Sequence, residues 1–352
     1  MTYKKYIIFF ILAIMLFSCV NLIIWQYATQ YLLSDKFGFG GELSRIGYIV
    51  DSRQPRMPIN DLPARHLEFR DYSTQQVDVL TVGDSFSHGG AGGKNRYYQD
   101  YIAAIQNASV LNLARFNFEE GSINTVITLL NSGYIDRIKP KYILLQSVER
   151  VCLERFADNV DFSHNMSTKD IDRYYSEHTQ FLYPVPATSF INTANIKYLY
   201  YRIRYLFSDS PTRNVITAKL TKPFFNVKNE KMLLFFRDDI NNIAKFNKGK
   251  VPTLNSNLNR LSRMLDVKGI KLYFMPIVDK YNLYSTFIEN NKYPSSFFFE
   301  ELRLLPKEYT LIDSKAILLD ALKRGEKDIF YADDTHWSWR ASEIIFNRVR
   351  FE

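Results

Sequence analysis

The chain reads VDVLTVGDS at residues 77–85, a β-branched run that ends in glycine, aspartate and serine. A short apolar run that stops at a turn signal is typical of a buried strand. We therefore predict a strand over residues 77–82. Ser85 then follows the carboxyl end of that strand, which is where parallel α/β sheets bind their ligands.

Four further runs have the same character, and amphipathic stretches separate them. The predicted strands cover residues 108–113, 142–146, 269–275 and 309–313. The amphipathic stretches include residues 95–106, 123–138 and 258–267. Strands that alternate with helical stretches predict βαβ units. The expected fold class is therefore α/β, with a central parallel sheet and helices on both of its faces.

The domain organisation follows from where this rhythm begins and where it is interrupted. We assign residues 1–25 to an N-terminal anchor, 26–75 to a juxtamembrane connector and 76–352 to one large domain. Residues 153–250 interrupt the alternation and are rich in Tyr, Phe and Arg. This segment is either a mostly helical insertion that packs its aromatic side chains inwards, or a cap over the site or a partner surface.

The N-terminus predicts a membrane-spanning helix. Lys4 and Lys5 precede an uncharged run over residues 6–25, and the next charge is Asp35. Twenty helical residues span roughly 30 Å, the thickness of the hydrocarbon core. The two lysines favour a cytoplasmic N-terminus and an exported domain, periplasmic or extracellular. A cleaved signal peptide and a lipoprotein modified at Cys19 are alternatives, and both also place the domain outside the cytoplasm.

Composition narrows the function classes. The chain has 352 residues, 46% of them hydrophobic and 23% charged, as in ordinary globular proteins. The formal charge of +8 comes from scattered residues. With no dense basic tract and no recognised motif, the sequence argues against a nucleic-acid partner. Two cysteines, one of them in the apolar run, do not make a disulfide framework.

Two short blocks carry candidate chemistry. Gly83-Asp84-Ser85 allows a tight turn that presents a serine hydroxyl near the start of the next helix. The second block, ADDTHW at residues 332–337, contains one of only five histidines. Because a serine hydroxyl needs a base, and an imidazole needs a carboxylate to orient it, Asp333 and His336 are the candidate partners of Ser85. A metal site and a helix N-cap formed by residue 334 or 335 are the alternatives.

Together the two blocks resemble those of the SGNH hydrolase superfamily, whose first block is Gly-Asp-Ser and whose last is Asp-x-x-His. More closely, the chain is similar to the branch that O-acetylates polysaccharides, of the AlgJ/AlgX kind. That likeness rests on Trp337, on the single N-terminal anchor and on Asp279-Lys280-Tyr281. It covers roughly residues 75–350 without the insertion, and it implies a three-layer, flavodoxin-like fold.

The resemblance also implies roles for individual residues. Ser85 matches the nucleophile, His336 the general base and Asp333 the residue that orients it. Gly121 is the match to the glycine of the second block, which with the Ser85 N–H would form the oxyanion hole. The asparagine of the third block is absent from QSVER at residues 146–150. Either Arg150 replaces this donor, or Glu149 and Arg150 form a structural ion pair.

The function expected from this resemblance is extracytoplasmic O-acetyl transfer to a polysaccharide through an acyl-serine, without metal or cofactor. The expected partners are the polysaccharide acceptor and a membrane-bound protein that delivers the acyl group. A carbohydrate esterase with the same residues is one alternative, and a non-catalytic glycan-binding scaffold is another. In the alginate-acetylation proteins the Asp-x-His block precedes the serine, whereas here it follows.

Overall fold

The computed structural model describes residues 3–33, 41–56, 61–116, 121–177 and 189–352. This part of the chain contains eight strands. They are β1 (Leu67–Glu68), β2 (Val79–Val82), β3 (Val110–Leu113), β4 (Tyr142–Val148), β5 (Val215–Lys219), β6 (Met232–Phe236), β7 (Lys271–Ile277) and β8 (Thr310–Leu311).

Six of these strands form the central sheet, in the order β1-β3-β2-β4-β7-β8, and all neighbours in it are parallel. All five strands predicted from the sequence lie in this sheet, with bounds that differ by a few residues. Without the short edge strand β1, the order is that of a doubly wound sheet whose switch point lies between β2 and β4. Ligand crevices form outside the carboxyl ends of the strands at such a point.

Both faces of the sheet are covered. Every residue of β2 and β3 is buried, and successive side chains of a strand point to opposite faces. Such strands occur when helices cover both sides of a parallel sheet. The α/β class predicted from the sequence is therefore confirmed.

Fourteen α-helices lie in the described residues. They are α1 (Tyr3–Ile24), α2 (Gln30–Leu33), α3 (Glu42–Gly47), α4 (Tyr98–Gln106), α5 (Ser122–Asn131), α6 (Ile135–Ile138), α7 (Thr168–Glu177), α8 (Thr193–Arg204), α9 (Arg237–Ala244), α10 (Lys250–Asp266), α11 (Lys280–Tyr284), α12 (Phe298–Arg303), α13 (Ser314–Lys323) and α14 (Trp339–Arg348). Around the sheet, α4, α13 and α14 pack together, and α5 packs with α10.

The N-terminal helix is long and apolar. Helix α1 continues through a π-helical turn, Trp25–Thr29, into α2. The continuous helix Tyr3–Leu33 has 31 residues, and its most apolar 18-residue stretch has a mean hydropathy of 2.9, so it is long and apolar enough to cross a membrane. Asn21 is the one buried residue of α1. The predicted apolar helix is therefore present, whereas its orientation and the export of the domain stay predictions.

The interruption at residues 153–250 is not purely helical. Besides α7, α8 and α9 it contains β5 and β6, which form an antiparallel pair. Residues 178–188 of this segment lie outside the described residues. The connector folds onto the pair, because Leu43 and Ile49 form a small buried cluster with Val215 and Leu234. The part of the expected connector around Leu43 and Ile49 is thus a packed element of the domain.

Candidate active site

Ser85 lies just beyond the carboxyl end of β2 and is half-buried. The backbone N–H of Gly90 donates to the carbonyl of Ser85 at 2.8 Å and closes the turn that presents the serine. Gly83 has to lack a side chain, because a Cβ there would overlap the side chains of Ser87 and Gln146. The first block therefore forms a compact turn at the switch point of the sheet.

Asp84 fixes this turn from within the protein. Its buried carboxylate accepts hydrogen bonds from the N–H groups of Phe86 at 3.2 Å and Val148 at 2.8 Å, and from Arg155 at 2.9 Å. Burial opposes ionisation, but Arg155 and the Val148 N–H outweigh it, and the pKa of Asp84 is lowered. The carboxylate therefore joins the ends of β2 and β4 and holds Ser85 between them.

His336 contacts the serine across 251 residues of sequence. Its Nε2 lies 2.8 Å from Ser85 Oγ, within hydrogen-bond distance, and its ring packs 4.7 Å from the Phe86 ring, centroid to centroid. A Cβ on Gly90 would meet the imidazole, so the turn after Ser85 lies directly against it. The predicted contact between Ser85 and His336 is confirmed, while the catalytic roles stay predictions.

The carboxylate on His336 is Asp334, and the expected contact with Asp333 is wrong. Asp334 Oδ1 lies 2.7 Å from His336 Nδ1 and also accepts the His336 backbone N–H at 3.0 Å. These two bonds form a tight local turn that requires a spacing of two residues. The neighbouring Asp333 points elsewhere, and its carboxylate accepts hydrogen bonds from Arg56 at 2.7 and 2.9 Å.

The helix-cap alternative is also wrong. Helix α14 begins at Trp339, and its N-cap is Ser338, whose hydroxyl accepts the N–H of Arg340 at 3.1 Å. Neither Asp334 nor Thr335 occupies that position. Asp334 is consequently available to orient the histidine.

The connector supplies a buried cation that links both aspartates. Arg56 donates to Asp333 and, through Nη2, to Asp334 Oδ2 at 3.2 Å. Its Nε donates to the carbonyl of Ala91 in the turn after Ser85, at 3.1 Å, and its guanidinium lies 4.3 Å above the Tyr331 ring. No motif in the sequence marked Arg56, because its partners lie about 35 and 278 residues further along the chain.

Two further connector groups reach the same loop. The backbone N–H of Gly41 donates to Asp334 Oδ2 at 2.6 Å, and that of Gln54 donates to Asp333 Oδ2 at 3.0 Å. The Gln54 side chain accepts the N–H of Ala332 at 2.7 Å. Residues 41–56 therefore enclose the loop at residues 332–334. They were expected to be a connector outside the site, and they are part of it.

The charges around His336 favour its protonated form. Burial alone would lower the pKa of His336, but Asp334 at 2.7 Å and Glu42 at 3.7 Å from Nδ1 raise it overall. Burial also opposes ionisation of Asp334, yet His336 and Arg56 hold the pKa of that carboxyl well below its usual range. Asp334 is therefore ionised, as a group that stabilises an imidazolium has to be.

Lys280 is hydrogen-bonded to the backbone of the same loop. Its ammonium donates to three backbone carbonyls, those of Tyr331 at 2.7 Å and of Ala332 and Asp334 at 3.0 Å. The side chain is 1% exposed. Burial lowers the pKa of Lys280 to about 7, although Asp333 and Asp334 act in the opposite direction. Lys280, on which the family resemblance partly rests, therefore contacts the loop that leads to His336, residues 331–336, called the histidine loop below.

Gly121 and Arg150, the two other predicted site residues, lie against neighbouring parts of the protein. Gly121 is the N-cap residue of α5, and a Cβ there would overlap the Arg155 backbone. Arg150 donates to Asp279 at 2.6 Å and to Asp239 at 3.4 Å. Arg150 is therefore engaged by two carboxylates.

Glu149, the other member of the expected ion pair, also has different partners. Its buried carboxylate accepts hydrogen bonds from Asn282 at 2.7 Å and Ser296 at 2.5 Å, and from the Asp279 N–H at 3.0 Å. The proposed Glu149–Arg150 pair is therefore replaced by separate contacts of each residue with the segment after β7.

One group of potential metal ligands lies at this site. Single ligand atoms of Glu42, Asp334 and His336 lie within 4.8 Å of one another. Asp334 already accepts hydrogen bonds from Gly41, Arg56 and His336, and the guanidinium brings a positive charge next to it. These contacts fit a carboxylate that orients a histidine better than one that binds a cation.

The comparisons with known proteins give no assignment, so the function has to be inferred from the geometry around Ser85 and His336. No protein-family model matches the chain, and no curated protein sequence matches it.

Proposed function

We propose that this chain is an SGNH-type acyltransferase that O-acetylates a polysaccharide outside the cytoplasm. The observation that carries the proposal is the hydrogen-bonded series Ser85–His336–Asp334 beside the switch point of a doubly wound sheet. The Gly-Asp-Ser and Asp-x-His blocks, the Trp337 that follows and the N-terminal apolar helix support the choice of family branch.

In the first half of the reaction, His336 Nε2 accepts the proton of Ser85 Oγ as this oxygen attacks the carbonyl carbon of an acyl donor. Asp334 stabilises the imidazolium that forms. The adduct collapses, the bond to the donor's leaving atom breaks, and His336 returns the proton to that atom. The products are an acetyl ester on Ser85 and the protonated leaving group. The Ser85 N–H, with that of Gly121, is the proposed donor pair for the oxyanion.

In the second half, a sugar hydroxyl approaches the acyl-serine. His336 takes its proton, the sugar oxygen attacks the acyl carbon, and Ser85 leaves with the proton that His336 returns. The polysaccharide gains the acetyl ester and the enzyme returns to its starting state. A membrane-bound partner would supply the donor, since the apolar helix would hold the domain next to the bilayer.

An esterase that removes acetyl groups would use the same residues with water as the acceptor. The acceptor preference of the acyl-enzyme is therefore the decisive measurement. The purified full chain in lipid nanodiscs should be mixed with a chromogenic acetyl ester, with and without an acceptor oligosaccharide, and followed by intact-protein mass spectrometry.

We expect an acetyl adduct on Ser85 that the oligosaccharide discharges faster than water, with the acetyl group recovered on the sugar. Ser85→Ala and His336→Ala should each lose activity by on the order of 10⁴- to 10⁶-fold, and the double variant should be barely worse. Ser163→Ala, which alters an exposed serine, is the matched control.

Discharge to water alone would favour the esterase. If the folded Ser85→Ala chain acetylated the glycan normally, the catalytic proposal would fail and a glycan-binding scaffold would remain.

A further inference from the structure

Helix α8 exposes a continuous apolar stripe. Its members recur at spacings of three and four residues, which places them on one face of a helix, and they are 45% to 84% exposed. They are Ile196, Leu199, Tyr200, Ile203, Leu206 and Phe207, the last two in the turn that follows the helix. Contiguous exposed apolar surface of this kind marks an interaction site.

The opposite face of α8 packs on the protein. Tyr201 stacks on Tyr48 of the connector with ring centroids 5.1 Å apart, and the Tyr205 hydroxyl donates to the Gly47 carbonyl at 3.0 Å. The apolar stripe therefore faces outward because the other side of the helix is already occupied. A rotation of α8 about its axis that turned the stripe towards the protein would break these contacts.

The start of α8 is hydrogen-bonded to the N-terminal apolar helix. Asn195 Nδ2 donates to Asn21 Oδ1 at 2.9 Å, and Thr29 Oγ1 donates to Asn195 Oδ1 at 2.6 Å. All three residues are buried. At 1.5 Å per residue, Asn21 lies roughly 27 Å along the helix from Tyr3. That distance is close to the hydrocarbon thickness of about 30 Å, so α8 is attached at the level where a spanning helix leaves the membrane.

Basic side chains flank the stripe. Successive residues of an α-helix are about 100° apart around its axis. With that spacing, Lys197 and Arg204 lie along one border of the stripe and Arg202 lies along the other. All three of these residues are exposed. Apolar residues on one face with Lys and Arg beside them are typical of helices that lie in the interface of a bilayer with anionic lipids.

We infer that α8 lies on the bilayer surface, with Ile196, Leu199, Ile203 and Phe207 inserted among the acyl chains. The occupant of the stripe is lipid, because α8 is bonded directly to the helix that would span the membrane. Together the two helices fix the height and the tilt of the domain above the bilayer. This inference does not depend on the chemistry proposed for Ser85.

The test measures where labelled positions lie in the full chain, with one chain in each nanodisc. Single cysteines replace Leu199, Ile203 or Phe207 in a Cys19→Ser background, since Cys152 is fully buried. Val267, which is 88% exposed at the end of α10, provides the matched aqueous control. Nitroxide labels then report collisions with oxygen, which partitions into lipid, and with a water-soluble nickel chelate.

We expect the three stripe positions to collide with the nickel chelate several-fold less, and with oxygen more, than position 267. Nanodiscs with anionic lipid should show the larger difference. Nickel accessibility equal to that of position 267 would overturn the inference. Labels that neither reagent reaches would also overturn it, because they would show a second protein surface on the stripe. Using three positions keeps the test valid if one labelled variant fails to fold.

Discussion

Asp333 and Asp334 are adjacent in the chain, yet they contact different partners. Asp334 bonds to the imidazole of His336, whereas Asp333 is held by Arg56 and lies away from the ring. Both carboxylates are completely buried or nearly so. Substitution of one or the other by asparagine therefore separates the proposed orientation of His336 as a base from the integrity of the loop that carries it.

Asp334→Asn should reduce kcat by roughly 10⁴-fold, the scale seen when the orienting carboxylate of a catalytic triad becomes an amide. The amide cannot stabilise an imidazolium and can leave the wrong ring nitrogen protonated. Asp333→Asn should cost about tenfold, near 1.4 kcal/mol in activation free energy. Steady-state hydrolysis of a chromogenic ester measures both. Equal losses would contradict the assignment of Asp334.

The pH dependence of kcat/KM should follow His336. The imidazole has to be neutral to accept the serine proton, so activity should rise as pH increases through its pKa. Because Asp334 and Glu42 raise that pKa against the effect of burial, the acid limb should lie above the ordinary histidine value. Burial and Asp334 raise the pKa of Glu42 itself, so its charge acts on His336 only above that pKa; there Glu42→Gln removes one negative charge and should move the limb to lower pH. An unchanged limb in this variant would show that Glu42 does not act on the base.

At the scale of elements, the histidine loop is held by segments that come from far away in the sequence. The connector at residues 41–56 covers it from one side, and Lys280 at the start of α11 binds three of its carbonyls. The loop itself is short and irregular, so these contacts define its conformation. Disturbing the connector should therefore affect both stability and catalysis.

Arg56→Gln should lower the free energy of unfolding by about 3–5 kcal/mol, since it leaves the buried charge of Asp333 without its closest cation. Activity should fall as well, because Asp334 loses a neighbour and the turn at Ala91 loses a donor. Arg53→Gln is the matched control, as Arg53 lies 3.7 Å from Asp333 and should matter less. Denaturant unfolding and ester hydrolysis measure the two effects. An Arg56→Gln variant as stable as the wild type would contradict the stabilising role assigned to the contacts of Arg56 with Asp333 and Asp334.

At the scale of the whole molecule, one large apolar cluster extends through the sheet and its helices. Buried polar contacts also join segments that are far apart in sequence. His66, just before β1, makes one of these contacts. Its Nδ1 lies 2.6 Å from Asp100 Oδ1 of α4, and its Nε2 lies 3.0 Å from Glu68. These contacts attach the edge of the sheet to the covering helix.

His66 should make stability depend on pH. Burial opposes protonation, but Asp100 and Glu68 raise the pKa of His66 to about 9, above roughly 6.5 in an unfolded chain. The raised pKa means that its stabilisation is complete below about pH 6.5 and disappears as pH rises through 9. Its size is on the order of 3 kcal/mol. The Tm difference between wild type and His66→Gln should therefore be large at pH 6 and small at pH 10. A difference that is independent of pH would contradict the prediction, and His164→Gln provides the control for losing a histidine.

Sequence patterns were enough to predict five of the six strands of the central sheet, the apolar helix and the contact between Ser85 and His336. Burial in a parallel sheet demands continuous apolar runs, and a bilayer demands about twenty uncharged residues, so both leave local patterns. The two blocks lie at points where the chain leaves β2 and enters α14, and the parallel topology brings them to one edge.

Three features depend on tertiary contacts instead: which aspartate faces the histidine, which cation links the two aspartates and which face of α8 is left open. The direction of a side chain in an irregular turn is set by its partners. Arg56, which contacts the Asp334 carboxylate, lies 278 residues from it in sequence, and Lys280, which binds the Asp334 backbone carbonyl, lies 54 residues away. The β5–β6 pair and the exposure of α8 likewise depend on packing between the insertion and the connector. The spacing of apolar residues within α8 does not show which of its faces that packing covers.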